Sequence, residues 1–317
     1  MTTKNLMIRS LVATLITLCT AGQVSSQEWQ SIKFPSPANL TGVCFVHPDT
    51  GFVVTDYGEF GRTVDGGKRW FMKQITTGAA LEDVSFISGN LGFVCGRGAS
   101  LYRTLDGGAT WDNMSLKDTI PWLFDIELLT GQVVMVAGAT RAQADPYEGL
   151  MLRSTDGGKT FDRQKIVGVG YKEFFYRPGG PLFLLTMGGL SRSEDLGESW
   201  KTSLTSDGKP GRALSFAGAT AVIAGPQGMC AYSADSGRTW RVNDRSDKEV
   251  YIAVEMIDEK TGYIGGHPGV LLKTEDGGRS WSDEPMATKF TVLDFYLMSD
   301  KLYAVGTGGG MAVKKVK

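Results

Sequence analysis

The chain has 317 residues, with 33 lysines and arginines against 34 aspartates and glutamates, a formal charge of −1, and 42 glycines. That near-neutral balance argues against a nucleic-acid-binding protein, which normally carries a basic footprint. No low-complexity tract or composition break divides the chain, and all-β repeat folds reach this length as a single domain.

At the N-terminus, Lys4 and Arg9 precede an apolar stretch from Leu11 to about Ala21, and the small residues Val24, Ser25 and Ser26 follow. This order of charged, apolar and small residues predicts a secretory signal, too short to anchor stably in a bilayer. Cleavage is expected after Ser26, giving a signal over residues 1–26 and a body over 27–317 with a charge of −3. Cys19 does not make a lipoprotein site, because Leu18 stands where a small residue is needed. No other segment approaches a transmembrane span, so the protein is expected to be exported, periplasmic or secreted, and monomeric. The body keeps Cys44, Cys95 and Cys230, without CxxC spacing and inside apolar runs, which predicts buried free thiols.

Next along the chain comes a phrase repeated six times, Ser/Thr-x-Asp-x-Gly-x-x-Trp/Phe, starting at Thr63, Thr104, Ser154, Ser193, Ser233 and Thr274. Its aspartates, Asp65, Asp106, Asp156, Asp195, Asp235 and Asp276, are spaced by 41, 50, 39, 40 and 41 residues. A repeat of this period is a supersecondary unit that must pack against its neighbours. Within residues 81–111, an alternating run (Val84, Phe86) is followed by a turn at Gly89-Asn90. Gly92–Cys95 forms a second run, Leu101–Thr104 a third, and Trp111 opens a fourth. Four short strands with hairpin-length turns predict a blade of a β-propeller. Each boxed phrase falls in the turn between the third and fourth strands. There an aspartate can accept backbone N–H groups, and glycine supplies positive φ. One box per blade spreads the six aspartates around a ring, so their role reads as structural.

The ends of the chain supply a further blade. Stepping back 41 residues from Trp70 reaches Trp29, and Thr291–Leu297, Lys301–Val305 and Met311–Val316 read as three strands awaiting a fourth from Glu28–Phe34. The fold class is therefore all-β: a single seven-bladed propeller whose last blade is closed by the N- and C-terminal strands.

In such a ring the boxes share a face with the turns between strands one and two. The opposite face carries the two–three turns, with Asp56, Tyr57, Glu59, Arg97, Met187, Gln227, His267 and Thr307, and an insertion at Ala139–Glu148 in blade three. Around the pore mouth the inner strands add Glu82, Trp122, Glu173, Arg212 and Tyr251. Loops on a rigid scaffold are where binding usually resides. The candidate binding residues are thus Arg97, Trp122, Arg141, Tyr147, Glu173, Arg212, Tyr251 and His267. Trp122 is the one tryptophan of seven outside the repeated outer-strand position, which reads either as an anchor for a partner or as a plug of the channel. Arg62, Arg103, Arg153 and Arg192 recur at one repeat position and read as blade structure. Two histidines, His47 and His267, with no paired cysteines predict no metal site. The glycine run Gly306–Gly310 precedes no helix, so no phosphate or other cofactor is expected.

The run Gly92–Trp111, echoed at Gly262–Trp281, resembles the photosystem II assembly and stability factor family. The resemblance covers most of residues 28–317. It implies an exported seven-bladed propeller of Asp-box (BNR) repeats that binds assembling membrane-protein subunits, with basic residues on the propeller face taking part. A non-catalytic module that captures a protein or glycan partner, with a membrane-protein complex among the candidates, is the expectation, without nucleic acid. Sialidases and other glycoside hydrolases also carry Asp boxes and supply the alternative. A sialidase needs an arginine cluster with an Arg-Ile-Pro-like motif early in the chain, whereas Tyr176-Arg177-Pro178 lies in the middle. Another glycosidase needs two facing carboxyl groups ~5–10 Å apart, for which Glu82 and Glu173 are the candidates.

Overall fold

In a computed structural model, the described residues are 28–115, 121–140, 148–164, 171–186, 189–205, 211–243, 245 and 248–316. They form seven four-stranded antiparallel sheets, and the only helix among them is the 3-10 turn Thr307–Gly309. Six sheets are consecutive in sequence. The seventh pairs Gln30–Ser31 with Met311–Lys315, in the register Gln30↔Val313 and Ser31↔Ala312. The two ends of the chain therefore close one blade, as the position of Trp29 predicts.

The first strands of blades one to seven are Leu40–His47, Leu81–Phe86, Pro121–Leu128, Tyr171–Tyr176, Ala213–Ala217, Val250–Met256 and Val292–Met298. Each touches the first strand of the next blade, and the last touches the first, so these seven strands surround a central channel. In every blade except the fifth, a bulge interrupts this strand near its start, as between Leu81 and Asp83 or Leu123 and Asp125. A bulge re-aims the residue that follows it, and these residues shape the channel.

The core lies between blades. Each of the seven boundaries has its own apolar cluster, one of which joins Phe52, Phe60 and Phe86 across blades one and two. Phe52 and Phe86 stack with centroids 3.6 Å apart, and Phe45 of blade one stacks on Tyr303 of blade seven at 4.1 Å. Such pairs add about 0.5–1.5 kcal/mol to the stabilisation from area burial alone. Trp29 fills the seventh outer-strand position, edge-on to Tyr263 of blade six at 5.8 Å.

The boxes are built alike. In blade two, Thr104 Oγ1 accepts from Gly108 N–H (2.9 Å) and donates to Asp106 Oδ1 (2.8 Å), and Asp106 accepts from Thr110 N–H (2.8 Å). The indole N–H of Trp111 donates to Gly108 O (3.1 Å). The Gly107 N–H reaches Asn90 O in the one–two turn of the same blade, which puts the boxes on the face the sequence assigns them. Hydrogen bonds from the side chain and then the N–H of the residue four past the aspartate (Arg69, Thr110, Ser199 and Thr239), with the box hydroxyl, hold Asp65, Asp106, Asp195 and Asp235 down to about 2. Those from Thr160 hold Asp156 lower still.

The recurring arginines are blade structure too. Arg62 and Arg103 donate to Gly107 O and Gly157 O of the following box (3.3 and 3.4 Å), and Arg153 donates to Leu196 O (3.1 Å). Cys44, Cys95 and Cys230 are buried, and none of them is in a disulfide.

Candidate functional site

On the face opposite the boxes the channel opens into a cavity of about 340 Å³. Four of the sequence-derived residues, Arg97, Trp122, Glu173 and Arg212, line it together with Glu82. They come from blades two, three, four and five, so only ring closure brings them to one place. Arg97, at the two–three turn of blade two, pairs its Nε with Glu82 Oε1 at 2.7 Å. Its guanidinium also stands 5.2 Å from the Trp122 ring, and Trp122 meets Phe124 edge-on at 6.2 Å. A cation over an indole face is attracted by the ring quadrupole, so Trp122 is held upright by Arg97 on one side and Phe124 on the other. Partly exposed there, it lines the cavity at the mouth. Arg212 is exposed on the opposite side of the opening, where partial burial pulls its guanidinium below its ordinary pKa and Glu82 pulls it back.

The other predicted residues go elsewhere. Tyr251 is fully buried in the cluster between blades five and six, so it is core and offers no surface to a partner. Its place in the sequence, at the start of an inner strand, matches the mouth. However, it precedes the bulge between Tyr251 and Ala253, so its side chain faces the neighbouring sheet. His267 is exposed at the end of its strand, before a cis peptide to Pro268, and does not line the cavity. Arg141, Tyr147 and Met187 lie outside the described residues. Asp56 and Glu59 face inward to their own loop: Asp56 accepts from Asn39 N–H (3.0 Å), and Glu59 from the Ser36 hydroxyl (2.7 Å).

Below the mouth the structure places a feature that sequence reasoning missed. The residues directly after the bulges include Asp83, Asp125, Glu173 and Asp294, and Glu127 and Glu255 follow two positions along their strands. An innermost strand is an edge strand, so its channel-side N–H groups need acceptors. The carboxyl groups supply them across blade boundaries. Val43 N–H donates to Asp294 (2.9 Å), Ile126 N–H to Asp83 (3.0 Å), Phe174 N–H to Asp125 (2.5 Å) and Leu214 N–H to Glu173 (3.0 Å). Ser85 and Ser215 do the same for Leu128 and Met256 (3.2 and 3.0 Å). Glu173, read from the sequence as a rim residue, is therefore part of the channel wall, and burial pushes its carboxyl well above the usual range. The missed signal was an acid at a fixed offset in an otherwise apolar inner strand, as in Leu81-Glu82-Asp83 and Leu293-Asp294-Phe295.

Among the described residues, no three His, Cys, Asp or Glu side chains converge with metal-binding geometry. No helix among them is long and apolar enough to cross a membrane. The two carboxylates a glycosidase would use are engaged, Glu82 by Arg97 and Glu173 by Leu214 N–H.

Comparison with solved structures finds the same fold. A structure described as YCF48 bound to D1 peptide superposes with a TM-score of 0.71 at 20% identity, over 91% of this chain and 97% of that one. YCF48 from Cyanidioschyzon merolae gives 0.71 at 16%, over 91% and 99%. The WD40 domain of Neurospora crassa Pan2 gives 0.70 at 13%, over 92% and 98%. At these identities the likeness is one of fold. No curated protein sequence matches the chain. A family model, in contrast, matches residues 21–160, 73–201 and 213–293, and so most of the propeller. The chain belongs to the family described as photosynthesis system II assembly factor YCF48.

Proposed function

We propose that this protein is an exported, non-catalytic assembly-factor-like propeller that captures a segment of a protein partner at the channel mouth, the partner being a subunit of a membrane complex. The observation that carries the reading is the convergence of Arg97, Trp122 and Arg212 on one cavity, at positions where the blades differ from one another. Family membership supports it, as does the peptide bound by one relative of the same fold. An aromatic ring with a guanidinium against it and a second cation lining the same cavity is the composition of an interface anchor. The mouth takes an extended segment with an apolar or aromatic side chain against Trp122 and a carboxylate or backbone carbonyl on Arg212.

The test is binding of the body, residues 27–317, to an immobilised array of peptides covering the D1 subunit. In parallel, Trp122→Ala and Arg212→Ala are measured on whichever peptide is retained. Each substitution is expected to weaken retention by about tenfold, equivalent to about 1.4 kcal/mol, with thermal unfolding unchanged. Retention unaffected by both substitutions would remove the mouth from the reading. Retention of oligosaccharides in place of peptides would assign the cavity to a glycan.

A further inference from the structure

The channel wall holds more carboxyl groups than its hydrogen bonds to backbone require. Asp83 and Asp125 are neighbours across the boundary of blades two and three, where burial raises both carboxyls and the Asp83 charge raises Asp125 further. Glu173 and Asp294 stand at the same level of the ring, and Glu127 and Glu255 lie deeper.

The remaining inner strands add no cation to this level. Blade one contributes Cys44 and blade seven Tyr296, whose hydroxyl donates to Phe45 O (2.8 Å), while blades two and five contribute Ser85 and Ser215. The cations are at the ends. Arg97 at the mouth is already paired with Glu82, Arg212 stands on the opposite side of the opening, and Arg177 acts on Glu255 from the one–two turn of blade four. Among the residues whose side chains are described, no lysine or arginine stands within the belt; Lys172, in the bulge before Glu173, is not one of them. Four of its carboxyls bridge the boundaries seven–one, two–three, three–four and four–five.

We propose that this belt is a proton-dependent clasp, which in its protonated form holds the blade boundaries closed around the channel and, on ionisation, sets like charges facing one another and loosens the ring. Burial pushes Glu255 up to about 7 and Glu127 up to about 8, the latter helped by the neighbouring Asp83. It also raises Asp83, Asp125, Glu173 and Asp294. A carboxyl whose pKa is higher in the folded than in the unfolded chain binds its proton more tightly when folded. Its contribution is complete below the unfolded value, near 4.5 for glutamate, and is lost as the pH climbs through the folded value. The clasp therefore weakens between about pH 5 and pH 9.

The full body is the protein to test, by urea unfolding from pH 5 to pH 9, wild type beside Glu127→Gln. Glu127 is chosen because burial and Asp83 alone account for its shift, so the amide strands no partner. Wild-type stability is expected to fall across the range, with Glu127 alone accounting for a change on the order of 100-fold in the folding constant. The Gln variant should lose that share, its profile flattening while its stability at pH 5 stays close to wild type. Parallel profiles, or wild-type stability that rises with pH, would overturn the proposal. A second measurement needs no variant: the infrared carbonyl band of a protonated carboxyl should be present in the folded protein at pH 7 and vanish on unfolding. Its absence from the folded protein overturns the clasp equally.

Discussion

Thr104→Val tests how the box is held together with little change of volume. The Thr104 hydroxyl is buried and accepts from two backbone groups, Gly108 N–H at 2.9 Å and Asp106 N–H at 3.3 Å. Valine removes both acceptors and the donor to Asp106. Water cannot take over, because the Phe60 ring of the preceding blade fills the space beside Gly108, only 2.2 Å from where a Cβ would stand. One buried donor left unpaired costs about 1–3 kcal/mol. At about 2–4 °C per kcal/mol for a domain of this size, the melting temperature should fall by roughly 2–12 °C. The structure supplies its own control, since Ser154, Ser193 and Ser233 make the same bond to Gly158, Gly197 and Gly237 at 2.8, 2.8 and 2.9 Å. Thr104→Ser should therefore keep most of the stability that Thr104→Val loses. Equal midpoints for the two variants in thermal and urea unfolding would refute the role given to the hydroxyl.

Gly138 of blade three lies opposite the bulge, where a Cβ would come within 2.2 Å of Trp122 O. Gly138→Ala should cost about 1–3 kcal/mol by overpacking and also weaken partner retention, because relief of the clash moves Trp122; unchanged retention would detach the strand start from the site. Trp29→Ala should cost about 3–5 kcal/mol, since the ring is 5% exposed and packs on Tyr263 and Phe295 where the chain ends meet; a loss under 1 kcal/mol in urea unfolding would place closure elsewhere. The box aspartates set the acid limit. Their carboxyls are held down to about 2, so the stability they confer is present above the unfolded value of 3.8 and is lost as the pH falls through 2. Acid unfolding should begin below about pH 4, and Asp106→Asn should weaken that pH dependence; a limb unmoved by the substitution would remove the box from acid stability.

The features that repeat were legible in the sequence, and those that do not were legible only in part. The Asp-box phrase gave blade number and face, because the same hydroxyl, carboxylate and glycine geometry recurs at one offset. The missing box at the ends, together with Trp29, gave the closure. Tyr251 was misread because one inserted residue reverses which way a strand residue points, and no sequence pattern marks the bulge that follows it. The channel carboxyls escaped for a different reason. Each lies in a short apolar run where a single acid reads as a solvated edge. The partner N–H groups of Asp83, Asp125 and Glu173 sit 43, 49 and 41 residues away on the next blade, and that of Asp294 sits 251 away at the other end of the chain. Only the closed ring puts Asp125 beside Asp83 and Phe174.

The same contrast indicates which face is free to carry function. On the box face the polar groups are consumed by the fold: the hydroxyls and aspartates by their own turns, and Arg62, Arg103 and Arg153 by carbonyls of the next blade. This stitching runs from blade one to blade four. Beyond it, boundary five–six is held by Ser215 and by Glu259 accepting from Ala219 N–H (2.9 Å), and boundary six–seven by the buried pair of Lys314 with Glu284. In the channel, four of the carboxyls are likewise occupied with neighbouring N–H groups, and Glu255 with the Ser215 hydroxyl. At the mouth the accounting differs. Arg97 has a partner in Glu82 yet remains exposed over Trp122, and no ion pair holds Arg212 among the described residues. Polar groups beyond those the fold consumes therefore collect at this one opening, directly above a belt whose charge is set by pH. Ionisation of the belt would place negative charge beneath both guanidinium groups and compete with any anionic partner for them, so partner capture at the mouth should weaken over the same pH range in which the clasp loosens.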